Sequence, residues 1–162
     1  AVRLFRLSAE QGNAWAQSNL GLMYFEGHGV PEDRKEATKW YRLSAEQGDA
    51  GGQYSMGLMY LEGYGVPEDH KEAAKWYRLS AEQGDDWAQF NLGAMYADGE
   101  GVSEDVSLAH MWWNIAGANG HKDAVENRKL LEEEMTESQI QKAKELARNW
   151  KPKTKGSDRH ET

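Results

Sequence analysis

The chain has 162 residues, of which 39% are hydrophobic and 28% charged, with 19 Lys and Arg against 27 Asp and Glu. This composition is too apolar for an intrinsically disordered chain, and no apolar run is long enough to cross a bilayer. The net charge of -8 disfavours nucleic acid and anionic membranes, and the absence of cysteine excludes disulfides and thiolate zinc sites.

An internal repeat organises the chain. Residues 13–48 and 49–84 are identical at 26 of 36 positions without a gap, and residues 85–120 continue the same register. Each unit contains two stretches with helical periodicity, separated by a Gly-x-Gly turn. A single helical hairpin cannot bury its apolar face alone, so neighbouring hairpins must stack. The period therefore predicts an all-α protein, a right-handed α-solenoid of antiparallel helix pairs with a 36-residue repeat.

The predicted elements follow this register along the chain. Residues 1–12 form a half repeat that contains only the second helix, helix B, and we interpret the chain as a fragment of a longer array. The remaining units are three complete repeats and a more charged C-terminal cap, which together with the half repeat make a solenoid domain over residues 1–150: 13–48, 49–84, 85–120 and 121–150. Residues 151–162 have almost no apolar side chain and are predicted to be a disordered tail.

Local signals define the two helices of a unit. Helix A is predicted from about Ala14 to Phe25, and its central Gly21 costs about 1 kcal/mol relative to alanine, which requires a packing reason. We expect that reason to be close approach to the small Ala37 of helix B. Asp33 with Glu36 predicts a capping box at the start of helix B, and Thr136 with Gln139 predicts another near the C-terminus.

No pattern indicates catalysis or metal binding. The five histidines do not converge with other ligands, and we interpret them as surface residues. The repeated Gly-x-Gly loop, as in Gly27-His28-Gly29, precedes acidic residues and is a structural turn rather than a phosphate cradle. We therefore predict no catalytic residue, no cofactor and no metal, and the chain is not expected to be an enzyme.

One extended pattern resembles a known family. The residues Ala-Gln-x-x-Leu-Gly-x-Met-Tyr, followed by Gly-x-Gly-Val and then Ala-x-x-Trp-Tyr, run from Ala16 to Tyr41. They recur from Gly52 to Tyr77, with glycine in the first place and Met56 for leucine, and more loosely from Ala88 to Trp113. This pattern resembles the Sel-one-like repeat family of bacteria. The resemblance implies a tetratricopeptide-related superhelix that acts as an adaptor in protein complexes, often at bacterial envelopes or host contacts. It favours the periplasm or secretion over the cytoplasm, although any signal peptide would precede this sequence.

The resemblance also suggests where a partner binds. In tetratricopeptide-like stacks, helix A lines the concave surface, and six of the ten differences between the first two repeats fall in the first eight residues of helix A. Two readings remain open for Trp15 and Trp87, which either pack between adjacent helices or face the groove. The predicted partner-binding residues are Trp15, Ser18, Asn19, Leu22, Tyr54, Ser55, Leu58, Glu62, Trp87, Phe90, Asn91 and Ala94.

Two function classes follow from this groove. The first is a non-enzymatic scaffold or adaptor that binds a protein or peptide partner on the concave helix A face, without nucleic acid and without insertion in a membrane. The alternative is a carbohydrate-binding or envelope-polysaccharide accessory module, in which the aromatic side chains would stack on sugar rings. The sequence leaves the oligomeric state and the identity of the partner open.

Overall fold

A computed structural model describes residues 1–153, and every regular element within them is an α-helix. The helices are α1 (Val2–Glu10), α2 (Ala14–Glu26), α3 (Arg34–Glu46), α4 (Ala50–Glu62), α5 (His70–Glu82), α6 (Asp86–Asp98), α7 (Val106–Ala118), α8 (Lys122–Glu132) and α9 (Glu137–Asn149). Helices α2, α4, α6 and α8 are the A helices of the repeats, and the others are B helices. The predicted all-α class of repeated helix pairs is confirmed.

By the contacts between its residues, the chain divides into two compact parts, which we call unit 1 (residues 1–76) and unit 2 (residues 77–162). Among the described helices, none combines the length and the apolar character that a bilayer crossing requires. Of the predicted disordered tail, residues 154–162 lie outside the described part of the chain.

Side-chain caps begin most of the helices. Asp33 accepts a hydrogen bond from the Glu36 backbone N–H at 3.0 Å, as the sequence predicts. The reciprocal half of the predicted capping box is wrong for this helix, because the backbone N–H of Asp33 donates to the Tyr24 carbonyl at 2.8 Å. Its donor is thus already satisfied, and the Glu36 side chain pairs with Lys39 instead. The box predicted at Thr136 and Gln139 is complete.

In unit 1, α2 and α3 pack as an antiparallel pair. The Ser44 hydroxyl near the end of α3 donates to the carbonyl of Ala14, the first residue of α2, at 2.8 Å. The expected neighbour of Gly21 was wrong: a Cβ atom at Gly21 would lie 2.8 Å from the ring of Tyr41. The glycine therefore makes room for a buried aromatic ring of the partner helix, one turn beyond Ala37.

Buried glutamines join successive repeats. Gln17 in α2 donates from its side-chain amide to the carbonyl of Ala9 in α1 at 3.1 Å, and Gln89 in α6 donates to Ala81 in α5 at the same distance. Both glutamines are almost completely buried. A backbone carbonyl near the end of each preceding B helix thereby gains a partner without water, which fixes the next A helix against it.

In unit 2, α9 packs along α7. The indole rings of Trp112 and Trp150 meet edge to face with centroids 5.9 Å apart. Beyond α9, the backbone N–H of Lys153 donates to the Glu82 carbonyl at 2.7 Å, and the Lys153 ammonium lies 3.1 Å from the Glu82 carboxylate. We call this double contact the Lys153–Glu82 clasp, and it joins the end of α5 to the segment after α9.

Candidate functional site

The predicted partner-binding residues of α2 lie on its exposed side. Trp15 is 63% exposed and Leu22 is 44% exposed. The covered edge of the Trp15 indole packs on Phe5 of α1, with ring centroids 5.4 Å apart. Asn19 is half-buried and its amide donates to the Trp15 carbonyl at 2.8 Å, while Ser18 is half-buried and faces the start of α4 near Gly51. This helix offers apolar surface to solvent at two positions about two turns apart.

The predicted residues of α4 are more involved in internal packing. Ser55 hydrogen-bonds to the hydroxyl of Tyr41, and Leu58 packs against the core formed by α3 and α4. Burial raises the pKa of Tyr41, so its phenol stays protonated and neutral. Tyr54 is half-buried, and Glu62 is exposed at the last turn of the helix.

In unit 2, two predicted residues meet around a histidine. The His121 ring stacks on Phe90 with centroids 4.5 Å apart and meets the Trp87 ring edge to face at 4.7 Å. His121 also caps α8, because its Nδ1 accepts from the Ala124 backbone N–H at 3.2 Å. Trp87 keeps 55% of its surface exposed, so one face of the cluster is open to solvent.

Phe90, Asn91 and Ala94 follow Trp87 along α6 and are half-buried. Phe90 and Ala94 pack against a core cluster that contains Trp113 of α7. The Trp113 indole N–H donates to the Phe90 carbonyl at 3.0 Å, which fixes the plane of the indole. Ala94 also lines an open pocket between α6 and α8 of about 340 Å³.

The expectation of surface histidines is wrong at two positions. His110 is completely buried and His121 is 7% exposed, whereas His160 lies outside the described residues. His110 in α7 lies 2.7 Å from the carboxylate of Glu132 at the end of α8. Burial lowers the pKa of His110, and its hydrogen bond to Glu132 opposes that shift. The same bond lowers the pKa of the Glu132 carboxyl.

Both buried histidines were detectable from the repeat register. His121 occupies the position of Asn13, Asp49 and Asp85, each of which caps an A helix. His110 occupies the position of Thr38 and Ala74, which are buried. Position within the repeat was therefore a better guide to burial than residue type.

The described residues show no group of three or more His, Asp or Glu side chains that could hold a metal ion. Acidic side chains do recur in each repeat at the position where an A helix ends. They are Glu26, Glu62, Asp98 and, just beyond α8, Glu134. The C-terminal end of a helix carries partial negative charge, so these carboxylates add to a potential of the same sign.

Comparison with known proteins agrees with the repeat register. A family model described as the Sel1 repeat matches residues 1–13, 16–49, 50–85 and 88–121. A search of curated protein sequences finds no significant match.

Solved structures share the fold. The crystal structure of c5321, described as a protective antigen present in uropathogenic Escherichia coli strains displaying an SLR fold, aligns with a TM-score of 0.87 and 39% identity over 93% of this chain and 32% of that chain. A Sel1 repeat protein from Oxalobacter formigenes aligns with a TM-score of 0.72 and 35% identity over 74% of this chain and 49% of that one. Helicobacter pylori cysteine rich protein B, at 19% identity, aligns with a TM-score of 0.62 over 77% of this chain and 90% of its own, and shows the fold alone. The chain thus spans about a third and about half of the first two proteins.

Proposed function

Because the chain belongs to the Sel1 repeat family, whose members are generally protein-interaction scaffolds, we propose that it is a non-enzymatic scaffold that binds a protein or peptide through the exposed sides of its A helices. The choice of the A-helix side as the binding face rests on which side chains are exposed on the A and B helices.

The exposed tryptophans carry the proposal. Among the large apolar side chains exposed in the described chain, the aromatic ones are Trp15 and Trp87, and both lie at the start of an A helix. Exposed B-helix residues of this kind are leucines, such as Leu43 and Leu79. Tryptophan is enriched at binding hot spots because it buries a large area at little entropic cost. A partner that covers these rings would use the A-helix side.

The charge of the chain favours a basic partner. Its net charge is -8, and a carboxylate recurs at the end of each A helix, as at Glu26, Glu62 and Asp98. Complementary charge raises the association rate and selects among partners more than it adds affinity. Lys and Arg side chains on the partner would therefore orient it on the A-helix side, with apolar contacts supplying most of the binding energy.

A selection from phage-displayed random peptides tests the proposal. We expect the protein to enrich a set of peptides, and the substitution Trp15→Ala or Trp87→Ala to weaken at least one selected peptide about tenfold or more. The matched pair is Leu22→Ala on α2 and Leu43→Ala on α3, because the two leucines are 44% and 45% exposed. Only the α2 substitution should weaken binding.

Two results would contradict the proposal. In the first, the selected peptides lose affinity with Leu43→Ala and keep it with the A-helix substitutions, which would place the site on the B-helix side. In the second, the selection enriches no peptide while an oligosaccharide panel binds, which would favour a carbohydrate-binding role.

A further inference from the structure

Unit 2 contains an open pocket between two A helices, and both apolar and polar side chains line it. The pocket has a volume of about 340 Å³ and lies between the second half of α6 and the last turns of α8. Ala94 and Ala97 line it from α6, and Leu130 and Leu131 line it from α8. Leu130 is 62% exposed, so the pocket has an uncovered apolar wall. A cavity of about 150 Å³ suffices to hold benzene, so this pocket has room for one large side chain.

Comparison of the repeats shows how the pocket arises. Ala94 occupies the position of Leu22 and Leu58, and Ala97 occupies the position of Phe25 and Leu61. In the first two repeats these positions therefore carry large apolar side chains. In the third repeat both side chains are truncated to a methyl group, while the helix keeps the same length and the same caps. Among the three complete repeats, this pair of alanines occurs in the third alone.

One part of the pocket lining is held in place by its neighbours. It is formed by Trp113, whose side chain is held by the hydrogen bond from its indole N–H to the Phe90 carbonyl at 3.0 Å and by contact with Gly93. Because the Trp113 ring is held in place, it does not move to cover the neighbouring apolar side chains. Burial of their surface by a ligand is worth about 25 cal/mol per Å². An incoming apolar group would gain this free energy.

The rim of the pocket is acidic. Asp98 and Glu134 line it, and the lining contains no Lys or Arg. Within the described residues neither carboxylate forms an ion pair, whereas the nearby Glu132 is already engaged with His110 and Arg128. The C-terminal end of α6 adds partial negative charge beside Asp98. The rim therefore attracts a cationic group next to whatever apolar group enters.

We propose that this pocket receives an apolar side chain of a partner peptide that carries Lys or Arg next to that side chain. The inference rests on the proposed scaffold function and names the chemistry of its partner at one subsite. The apolar side chain lies against Ala94 and Ala97, where the second repeat carries the larger Leu58 and Leu61, and the flanking cations pair with Asp98 and Glu134.

Titration with a defined peptide tests the inference. The probe is Gly-Ser-Lys-Leu-Lys-Ser-Gly, and the two companions replace its Leu by Ser or both of its Lys by Glu. Binding is followed through backbone amide shifts of the isotope-labelled protein. We expect the Leu probe to shift amides of α6 and α8, and each companion to bind at least about fivefold more weakly.

Variants of the protein complete the test. Ala94→Leu with Ala97→Leu restores the side chains of the second repeat, so the helix should tolerate them, and we expect binding of the Leu probe to fall at least about tenfold. Asp98→Asn with Glu134→Gln keeps the pocket and should weaken the probe about threefold or more at low salt. The matched control, Glu126→Gln with Glu145→Gln, removes two exposed carboxylates outside the lining and should leave the affinity unchanged.

Several outcomes would overturn the inference: no shift with the Leu probe, equal binding of the Ser companion, or unchanged binding by the filled variant. If the filled variant does not fold, unchanged binding by the charge variant overturns it. Phage selection on the wild type separates this failure from failure of the scaffold function. Selected peptides that are insensitive to both variants would reject the pocket and keep the scaffold, whereas a selection without any enriched peptide would reject both.

Discussion

The Arg42 guanidinium donates a hydrogen bond of 2.9 Å to the Tyr60 hydroxyl, and its central carbon lies 5.7 Å from the centroid of the same ring. One contact thus combines a hydrogen bond and a cation–π interaction between helix B of one repeat and helix A of the next. The same contact recurs 36 positions before and after, between Arg6 and Tyr24 and between Arg78 and Tyr96.

The last repeat replaces this contact. Asn114 stands where Arg42 and Arg78 do, and Glu132 stands where the tyrosines do. Arg128 donates to the Asn114 side chain at 2.9 Å, and Glu132 pairs with buried His110. An aromatic link between repeats is thus exchanged for an ionic one, which makes this region sensitive to pH.

We predict that Tyr60→Phe lowers the free energy of unfolding by about 1 kcal/mol, because it removes the hydrogen bond from Arg42 and keeps the ring. Chemical denaturation followed by circular dichroism measures the change. Lys71→Ala, at an exposed position of α5, is the control and should leave the unfolding curve unchanged. An unaltered midpoint for Tyr60→Phe would show that the repeated contact adds no stability.

Gly93→Ala is expected to destabilise the fold by about 1–3 kcal/mol, although alanine is the better helix former. The new Cβ atom would lie 2.6 Å from Nε1 of Trp113, and that indole is held in place by its bond to the Phe90 carbonyl. Gly51→Ala, on the exposed side of α4, tests the same change without an aromatic neighbour, since its new Cβ would meet only the Asp49 carboxylate at 3.3 Å and the Ser18 hydroxyl at 3.7 Å, and it should destabilise far less. Equal melting temperatures for the two variants would contradict the packing argument.

The pH dependence of stability should report on His110. Its pKa is lowered in the folded protein, so the unfolded chain binds the proton more readily, and the stability present above about pH 6.5 is lost as the pH falls toward the folded pKa. The lowered pKa of Glu132 acts in the same direction below about pH 4.5. Arg128 and Lys144 also face this pair.

Melting temperatures at about pH 7.5 and about pH 5.5 measure the effect. We expect a larger fall for the wild type than for His110→Ala, which introduces the alanine found at this position in the preceding repeat. His28→Ala removes an exposed histidine and should keep the wild-type fall. A fall of equal size in His110→Ala would assign the pH dependence to other groups.

Thr136→Ala should lower the free energy of unfolding by about 1 kcal/mol, because the Thr136 hydroxyl accepts from the Gln139 backbone N–H and the Gln139 side chain accepts from the Thr136 backbone N–H. Ser138→Ala in the same turn is the control and should have a smaller effect. Thermal unfolding of the two variants decides the comparison, and equal melting temperatures would mean that the cap is not needed to hold α9.

Association with a basic peptide should weaken as salt rises. Between about 0.05 M and about 0.3 M NaCl, screening of Glu26, Glu62 and Asp98 should reduce the association rate more than it raises the dissociation rate. Surface plasmon resonance with a peptide selected by the protein separates the two rates. An association rate independent of salt would rule out electrostatic steering by these residues.

Much of this fold could be predicted from the repeat register, and the errors have physical reasons. Helical periodicity places both ends of α2 within one residue of its observed bounds, and the cap at Asp33 places the start of α3 correctly. Spacing also predicts that Gly21 faces helix B, but it cannot give the direction of the Tyr41 ring that fills the space. The half-formed cap at Asp33 depends on the loop folding back onto the Tyr24 carbonyl, which no local pattern encodes.

The candidate site was less predictable, because exposure depends on neighbours. Trp15 and Trp87 have the same position in the repeat, yet one packs on a phenylalanine before it in the chain and the other on a histidine after it. Ser55 and Leu58 belong to the predicted face, yet they also contact residues of the interior. The pocket beside Ala97 can be predicted from the sequence only by comparing the repeats, because alanine is common in helices and a single alanine does not indicate a cavity.

The Lys153–Glu82 clasp has a mechanical consequence. In a helical repeat array, each repeat contacts only its nearest neighbours. A pulling force therefore normally unfolds the terminal helix pair first and then the remaining repeats one after another. Here tension on the chain beyond Lys153 is transmitted directly to the end of α5. The segment from α6 to α9 therefore carries no tension until the clasp breaks, and only then can the force begin to unfold it.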